Sequence, residues 1–213
     1  CVMTDPARTL FAPLDDTDET VAPVVLMPDW RPITPVPEDA PRFLPPHRLG
    51  KPAAKWAYRD SAGRLLFLVC RFEQADGSKD ILPLTFCDGP DGRREWRWKG
   101  FPVPRPLYGL DRLAAHPDAP VLVVEGEKAA NAAAGLFPDA VTITSPNGAK
   151  AADKADWSPL AGRAVTIWPD HDDEGRAYAA DVARLALAAG ATSVAVVAVP
   201  DAFPPKWDLA DPI

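Results

Sequence analysis

The amino-acid sequence predicts an α/β protein in which a small antiparallel β-rich subdomain precedes a parallel four-stranded sheet with flanking helices. Two observations predict this order. Between residues 55 and 99, runs rich in β-branched and aromatic residues are separated by short turns that contain glycine, as in an antiparallel meander. After Pro120, apolar runs alternate with helical patterns and lack polar alternation, as expected of parallel strands that helices cover on both faces.

The composition is that of an ordinary globular protein. The chain has 213 residues, of which 47% are hydrophobic and 25% charged, which suffices for one or two cores and excludes collagen, coiled coil and wholesale disorder. Its three cysteines form no CxxC or Cys/His pattern, so we expect neither a disulfide framework nor a structural zinc site. No apolar run reaches the roughly 20 residues of a membrane span. We therefore expect a cytoplasmic protein with no membrane partner.

The net charge of −7 hides an uneven distribution of charged residues along the chain. Residues 51–115 carry 12 basic and 8 acidic side chains, whereas residues 116–213 carry 7 and 14. The basic segment has the sign that nucleic-acid phosphates attract. The acidic segment can handle phosphates only if its carboxylates converge on divalent cations, which reverse the local charge.

The expected domains are residues 1–54, 55–115 and 116–213. The first is a proline-rich arm or linker, because eleven of the 26 prolines fall in it and proline opposes both helix and central strand. A short apolar stretch at residues 24–27 could dock on the folded part, or the arm could be disordered. The sequence leaves both alternatives open.

The middle segment carries the signals of four strands and one short helix. The predicted strands are 55–59, 64–73, 80–87 and 94–99, and the predicted helix is 107–115. In the last strand, Trp96 and Trp98 share one face because strand side chains alternate. They are candidates for stacking on bases, but aromatic pairs on one strand face more often belong to the core.

The third segment predicts a parallel sheet with right-handed crossovers. Its second helix ends at Gly190, a residue type that favours helix C-termini. The predicted strands are 121–124, 140–144, 164–168 and 193–199, and the predicted helices are 127–137 and 174–189.

Carboxylates follow two of the predicted parallel strands. Glu125 follows the first strand, and Asp170 and Asp172 follow the third. Ligands of such sheets bind beyond the carboxyl ends of the strands, so the three acids would converge if the two strands are neighbours. Hard oxygen ligands at this density suit Mg²⁺ or Mn²⁺. The alternative is that each acid caps a helix or stabilises its N-terminus.

Three motifs give the third segment a family resemblance: Val-Val-Glu-Gly-Glu-Lys at residues 123–128, Asp-His-Asp at 170–172 and Lys-Trp-Asp at 206–208. Over residues 119–211 the chain resembles the Toprim domain of bacterial, phage and plasmid DNA primases. A weaker resemblance, through motifs such as Pro-Leu-Tyr-Gly-Leu at 106–110, links the middle segment to the accessory subdomain of phage and plasmid primases and primase-helicases. The resemblance implies a Toprim-type sheet behind a small β-rich subdomain.

The resemblance also implies roles for the acidic residues. Glu125 would act as a base or as a metal ligand, and Asp170 and Asp172 would hold the catalytic Mg²⁺ or Mn²⁺. Asp208 would be a further acidic ligand position near the metal. His171 lies between the two aspartates and points to the other face of an extended segment, so it is left out as a ligand.

Basic residues near these motifs are candidates for contacts with nucleotide phosphates. Lys128 lies one turn into the first helix, where an ordinary exposed lysine is the alternative. Lys150 follows an Asn-Gly turn that could present amides to phosphate or be a plain turn, and Lys206 belongs to the Lys-Trp-Asp motif. In the middle segment, a solvated sheet face needs charges in any case. The candidates there for binding single-stranded DNA are Arg59, Arg71, Arg94, Arg97, Lys99 and Arg105.

The expected function is metal-dependent nucleotidyl transfer, namely template-directed primer synthesis from NTPs on single-stranded DNA in the replication of a phage, plasmid or other mobile element. One alternative is a Toprim nuclease, in which the same carboxylates activate water, and another is a non-catalytic nucleic-acid-binding module. The sequence contains neither the zinc-binding module nor the P-loop helicase of longer primase-helicases. We therefore expect a portion of a longer protein, with a replicative helicase as its partner in cis or in trans.

Overall fold

A computed structural model describes residues 30–42 and 44–212, so the apolar stretch at residues 24–27 lies outside the described residues. The described chain forms one antiparallel and one parallel sheet, joined by a segment with a short helix. This arrangement confirms the α/β architecture and the order of the two sheets along the chain. No helix within these two ranges is long and apolar enough to cross a membrane.

The antiparallel sheet has the order β1-β4-β3-β2, with β5 paired to β4. Its strands are β1 (Arg31–Pro32), β2 (Ala54–Arg59), β3 (Leu65–Glu73), β4 (Lys79–Asp88) and β5 (Arg94–Arg97). The last strand ends two residues earlier than predicted. The ladder stops at the Thr85–Arg97 pair, and the Thr85 hydroxyl then donates to the carbonyl oxygen of Lys99 at 2.8 Å, so a side chain replaces the next backbone bond.

The described part of the proline-rich arm packs on the antiparallel sheet. Strand β1, which the sequence did not predict, pairs Pro32 with Cys87 at the edge of β4, where proline is tolerated. Ile33 and Val36 pack against the core of this sheet. Trp96 belongs to that core, as the alternative to base stacking expected, and its indole nitrogen donates to the carbonyl oxygen of Pro41 at 2.8 Å. The boundary at residue 54 stays a prediction.

The short helix α1 (Leu110–Ala115) begins three residues later than predicted. Gly109 precedes it with a φ of 85°, a conformation that only glycine adopts readily, and a Cβ at this position would lie 2.9 Å from the carbonyl oxygen of Thr142. Leu107 and Tyr108 are not helical because the Tyr108 amide donates to the carbonyl oxygen of Thr144 at 2.9 Å, which ties the segment to the parallel sheet.

The parallel sheet has the order β7-β6-β8-β9, with all its pairs parallel. Its elements are β6 (Val121–Val124), α2 (Glu127–Leu136), β7 (Val141–Ile143), β8 (Ala164–Trp168), α3 (Asp173–Ala188) and β9 (Ser193–Val196). The four residues of β6 are all buried, which explains why this strand shows no polar alternation. Two short 3-10 helices that the sequence did not predict, Ala149–Lys154 and Ser158–Leu160, lie between β7 and β8.

A shared hydrophobic cluster joins the two sheets. Trp56, Tyr58 and Phe67 of the antiparallel sheet pack with Leu122 and Val124 of β6. Alanines of α2 at positions 129, 130 and 133 complete the cluster, which we call the interface core. The antiparallel sheet is therefore packed beside the carboxyl ends of β6 and β8. The domain boundary between residues 115 and 116 stays a prediction.

Candidate functional site

A cleft of about 390 Å³ lies where β6 and β8 end. These strands are parallel neighbours, with Val124 opposite Trp168, so the residues that follow them lie at one edge of the sheet. The antiparallel sheet closes this edge from the side. The lining residues, which define what we call the acidic cleft, are Trp56, Arg71, Lys79, Ile81, Glu125, Gly126, Glu127, Lys128, Ala129, Asn147, Gly148, Asp170 and Asp208.

Buried hydroxyl groups hold the turn that carries Glu125. The Gly126 amide donates to the Thr144 hydroxyl at 3.0 Å. The Tyr178 hydroxyl, on α3, lies 3.4 Å from the carbonyl oxygen of Val124 and 3.0 Å from the Ser145 hydroxyl. These hydrogen bonds connect the ends of β6 and β7 beneath the cleft. Because Thr144 and Ser145 are buried, water does not compete for the bonds, and the network fixes the direction in which the turn leaves the sheet.

The carboxylates of the cleft repel one another. Burial raises the pKa of Asp170 to about 8. The next cause is the carboxylate of Glu125, followed by those of Asp208 and Asp172. Burial also raises the pKa of Glu125, with Asp172 the largest of the charges that add to the shift. The charge of Lys79 opposes both shifts, so its ammonium faces this group of acids in a cleft that Arg71 also lines.

Two observations make the cleft chemically suitable for a divalent cation. The Oε2 atom of Glu125 is buried and has no hydrogen-bond partner, and like charges around Asp170 are unfavourable until a cation approaches. Within residues 30–42 and 44–212, however, no three His, Cys, Asp or Glu side chains are grouped as a complete metal site. Mg²⁺ commonly takes only one or two carboxylates and completes its shell with water and phosphate, so the donors fit. Metal binding stays a prediction.

Asp172 has a different place from Asp170. It is the N-cap of α3, where its Oδ1 accepts a hydrogen bond from the Gly175 amide at 2.7 Å, and it does not line the cleft. A Cβ at Gly175 would clash with the backbone of Asp170. The backbone of Gly175 therefore lies against that of Asp170. The sequence left helix capping open as an alternative role, and one oxygen of Asp172 has that role.

Of the remaining predicted site residues of the third segment, two line the cleft and two lie outside it. Asp208 and Lys128 line the cleft, and the Lys128 ammonium lies 3.6 Å from Asp211. Lys150 lies outside the cleft with its side chain 88% exposed and 3.1 Å from Glu174. Lys206 is exposed and does not line the cleft either.

Of the six predicted DNA contacts, Arg71 lines the cleft. Arg59 donates to Gly63 at 2.8 Å and Arg105 to Phe101 at 3.1 Å. Arg94 and Arg97 lie in β5 and Lys99 lies two residues beyond it. Strand β5 pairs with residues 85–88 of β4, roughly 20–30 Å along that strand from Lys79 at about 3.3 Å per residue. Arg94 lies over the Phe86 ring, whereas the guanidinium groups of Arg93 and Arg97 lie over the Trp30 ring and the Lys99 ammonium donates to the Trp30 carbonyl oxygen. Trp30, Arg93, Arg97 and Lys99 form what we call the Trp30 patch.

Sequence reasoning missed two charged residues of the cleft, Lys79 and Glu127. Lys79 begins β4 and reaches the cleft because Arg71 pairs with Ile81 two residues further along, which places Arg71, Lys79 and Ile81 on one face of the sheet. This register could have been a signal only if the strand pairing had been known. Glu127 was visible in the Glu-Gly-Glu motif but received no role.

Neither a protein-family model nor a curated protein matches the sequence, but solved structures match its fold. A DNA primase domain from Pseudomonas aeruginosa is similar with a TM-score of 0.50 and 19% identity, over 73% of this chain and 44% of that chain. The zinc-binding and RNA polymerase domains of the Aquifex aeolicus primase give 0.49 and 22%, over 70% and 34%. The primase fragment of the bacteriophage T7 primase-helicase protein gives 0.45 and 17%, over 68% and 52%.

The likeness to the Pseudomonas domain shows that the chain has a primase-like α/β fold. It covers 44% of that domain, so the chain spans less than half of the structure that it matches. At 19% identity the likeness describes the fold, and function has to be argued from the site.

Proposed function

We propose that this chain catalyses metal-dependent nucleotidyl transfer and synthesises primers on single-stranded DNA. The observation that supports the proposal is the composition of the acidic cleft, which has a volume of about 390 Å³. In it, the repelling carboxylates of Glu125 and Asp170 face Arg71 and Lys79. Phosphoryl transfer needs carboxylates that hold divalent cations and basic groups that contact phosphates. The primase-like fold agrees with this assignment.

At the level of domains, we propose that residues 116–213 are a Toprim domain and residues 55–115 its accessory subdomain. Residues 1–54 are then an arm, of which the described part docks on the accessory subdomain. The setting in phage or plasmid replication and a helicase partner rest on the resemblance of the sequence motifs.

Glu125 and Asp170 would hold Mg²⁺ or Mn²⁺, with Asp208 and the second oxygen of Asp172 nearby. When bound, the cation lowers the pKa of an attacking 3′-hydroxyl and neutralises charge on the transferred phosphoryl group. The protein supplies the rest by position. Glu125 is held by the buried hydroxyl network beneath its turn, so the site does not have to reorganise during the reaction.

The cations of the cleft would bind the triphosphate of the incoming NTP. Arg71 and Lys79 come from the antiparallel sheet, so they approach the carboxylates from the other wall, and Lys128 comes from α2 on the carboxylate side. Their positive charge would stabilise the pyrophosphate as it leaves. Lys150 and Lys206, both outside the cleft, would act on phosphates only at its margin.

The single-stranded template would cross the antiparallel sheet towards the cleft. Arg59, Arg94 and Arg97 are half-exposed or exposed on this sheet, and Arg71 stands where the sheet meets the cleft. Lys99 and Arg105 donate to backbone carbonyls, so their contribution would be a positive field rather than direct contact. Phosphate contacts of this kind give affinity that falls steeply with salt.

The test is incubation of the protein with labelled NTPs, single-stranded DNA and Mg²⁺ or Mn²⁺, followed by separation of the products by size. We expect short products that require template, NTPs and metal. Asp170→Asn should reduce synthesis by about 100-fold or more, as removal of a charge-stabilising group commonly does. The matched control is Asp173→Asn, because Asp173 carries the same group three residues away with its side chain 98% exposed.

The other outcomes decide against the proposal in different ways. Template shortened without NTPs would identify a nuclease that uses the same carboxylates. DNA binding without synthesis or cleavage, unchanged by Asp170→Asn, would identify a binding module. Equal loss of synthesis in Asp170→Asn and Asp173→Asn would remove the cleft from the reaction.

A further inference from the structure

A hydrogen bond between two buried side chains joins the antiparallel sheet to the helix of the acidic cleft. The hydroxyl of Tyr58, in β2, donates to Oε1 of Glu127, the first residue of α2, at 2.7 Å. Tyr58 is 0% exposed and Glu127 is 7% exposed. The two residues are 69 positions apart in sequence, so the bond forms only when the two sheets are packed together.

This bond supplies direction to an otherwise apolar contact. The interface core consists of aromatic and aliphatic side chains, and the attraction between such surfaces is non-directional. A hydrogen bond has a narrow range of distance and angle. Loss of the donor to a buried carboxylate strongly destabilises the folded protein. A movement of β2 along α2 would therefore cost free energy, because it would leave Glu127 buried without its donor.

The two ends of the bond lead directly to the two walls of the cleft. On one side, Tyr58 pairs with Phe67 in β3, and Arg71 lies four residues further along the same face of that strand. On the other side, Glu127 is separated from Glu125 by Gly126 alone. Both Arg71 and Glu125 line the cleft, so a shift at the bond would change the gap between cations and carboxylates.

We propose that the Tyr58–Glu127 pair is a positioning device that sets the separation between Arg71 and Lys79 on one wall of the acidic cleft and the carboxylates on the other. It thereby fixes the fit of the cleft to a chain of phosphates. The nature of this ligand rests on the proposed function, whereas the positioning rests on the hydrogen bond and the strand register. Neither residue of the pair is assigned a chemical step.

The experiment measures the binding of inorganic tripolyphosphate in Mn²⁺ by calorimetry, which does not depend on primer synthesis. Tyr58→Phe keeps the ring that stacks on Phe67 at 4.3 Å and removes the donor, and we expect affinity to fall about fivefold, since small misplacements at such sites have large effects. Glu127→Ala breaks the bond from the other side and should show the same loss. Glu127→Gln keeps an acceptor for Tyr58 and should stay closer to the wild type than either.

The matched control is Tyr108→Phe. The Tyr108 hydroxyl donates to Asn131 on the same helix at 2.9 Å, and Tyr108 belongs to the same interface core, but neither residue lines the cleft. We expect its affinity to change less than about twofold, because loss of a hydroxyl that only stabilises the packing acts on unfolding rather than on the site. Melting curves of all variants give the folded fraction of each, so that affinities are compared per folded molecule.

The outcomes separate the positioning from the function. Equal losses in Tyr58→Phe and Tyr108→Phe, or a loss in Glu127→Gln as large as in Glu127→Ala, would overturn the positioning role. Primer synthesis with unchanged tripolyphosphate affinity and unchanged KM for NTP in both Tyr58→Phe and Glu127→Ala would overturn it as well and leave the function standing. Weakened binding in these two variants of a chain that makes no primers would keep the positioning role and refute the function.

Discussion

The acidic cleft and the Trp30 patch treat their charges in opposite ways. In the patch, the Arg97 guanidinium lies 4.6 Å from the centroid of the Trp30 ring and 2.7 Å from Glu95, and the Lys99 ammonium donates to the carbonyl oxygen of Trp30 at 2.8 Å. In the cleft, Glu125 has a buried oxygen with no partner. The patch satisfies its charges within the protein, and the cleft does not.

The difference predicts which region is the better candidate for binding a ligand. Unsatisfied buried oxygens and crowded carboxylates lower the stability of the ligand-free protein, and binding of a cation removes that cost. Cation–π contacts and exposed ion pairs contribute little and leave the protein complete without a ligand. Substitutions of the repelling carboxylates in the cleft should therefore change function strongly and raise stability, whereas those in the patch should lower stability slightly.

The largest effect on stability is expected from Asp170→Asn. Because the pKa of Asp170 is raised to about 8 in the folded protein, the folded state holds the proton more tightly than the unfolded state, and the free energy of unfolding falls as pH rises from about 4 to about 8. Asparagine cannot ionise. In EDTA at pH 8 the variant should be more stable by about 2 kcal/mol, with allowance for solvent screening of a half-buried group, and the gain should disappear near pH 4.

Melting curves across this pH range, with Asp173→Asn as the control, measure the gain. Added Mn²⁺ should stabilise the wild type and not Asp170→Asn, because only the intact site binds the ion in the folded state. A variant that is less stable than the wild type at pH 8 would mean that Asp170 is a structural partner, and the contrast with the Trp30 patch would fail.

Lys79 should show the next largest effect, on substrate binding. Replacement by Met removes the cation that faces Glu125 and Asp170, and we expect the KM for NTP to rise about tenfold, the scale of a partly buried charge contact to phosphate. The control is Lys55→Met, since Lys55 lies on the other face of the same sheet, paired with Cys70. Steady-state kinetics of both variants measure the effect. If the KM for NTP were the same in Lys79→Met as in Lys55→Met, Lys79 would have a structural role only.

Asp172 tests whether two acids of one motif belong to different regions in energetic terms. Asp172→Ala removes the N-cap of α3 and should lower the free energy of unfolding by about 1 kcal/mol, the sign opposite to that of Asp170→Asn. Asp172→Asn keeps an oxygen that accepts from Gly175 and should retain most of the stability. Melting curves in EDTA at pH 8 give both values. A stabilised Asp172→Ala would place this residue with the repelling carboxylates instead.

The features that the sequence predicted are those that depend on short stretches of chain. The buried run at 121–124 and its counterpart at 164–168 form neighbouring strands with the expected bounds, because apolar periodicity reports burial directly. Glu125 and Asp170 follow those strands, so their place at the edge of the sheet follows from strand polarity alone. Their proposed roles as metal ligands stay predictions.

The features that the sequence did not predict depend on how the sheets pack. Lys79 enters the cleft through the register of β3 with β4, and Glu127 finds Tyr58 across 69 residues. The Trp30 patch likewise brings residue 30 to residues 93–99, beyond the reach of any local pattern. Such contacts arise from tertiary packing, which composition and periodicity do not encode.

Arg97 provides the smallest and most selective test of the comparison. Arg97→Ala removes the cation over Trp30 and an ion pair with Glu95 whose side chains are 46% and 40% exposed, so the free energy of unfolding should fall by only about 0.5 kcal/mol.

Exposed partners of this kind are readily exchanged for a phosphate. If the template crosses this patch, the salt dependence of single-stranded DNA binding should lose about one unit of slope, while the KM for NTP stays that of the wild type. Binding titrations at several salt concentrations measure the slope, and Arg184→Ala, on the exposed face of α3 with its own ion pair to Asp181, is the control. An unchanged slope for Arg97→Ala would make the patch purely structural and move the template to the margin of the cleft beside Lys150.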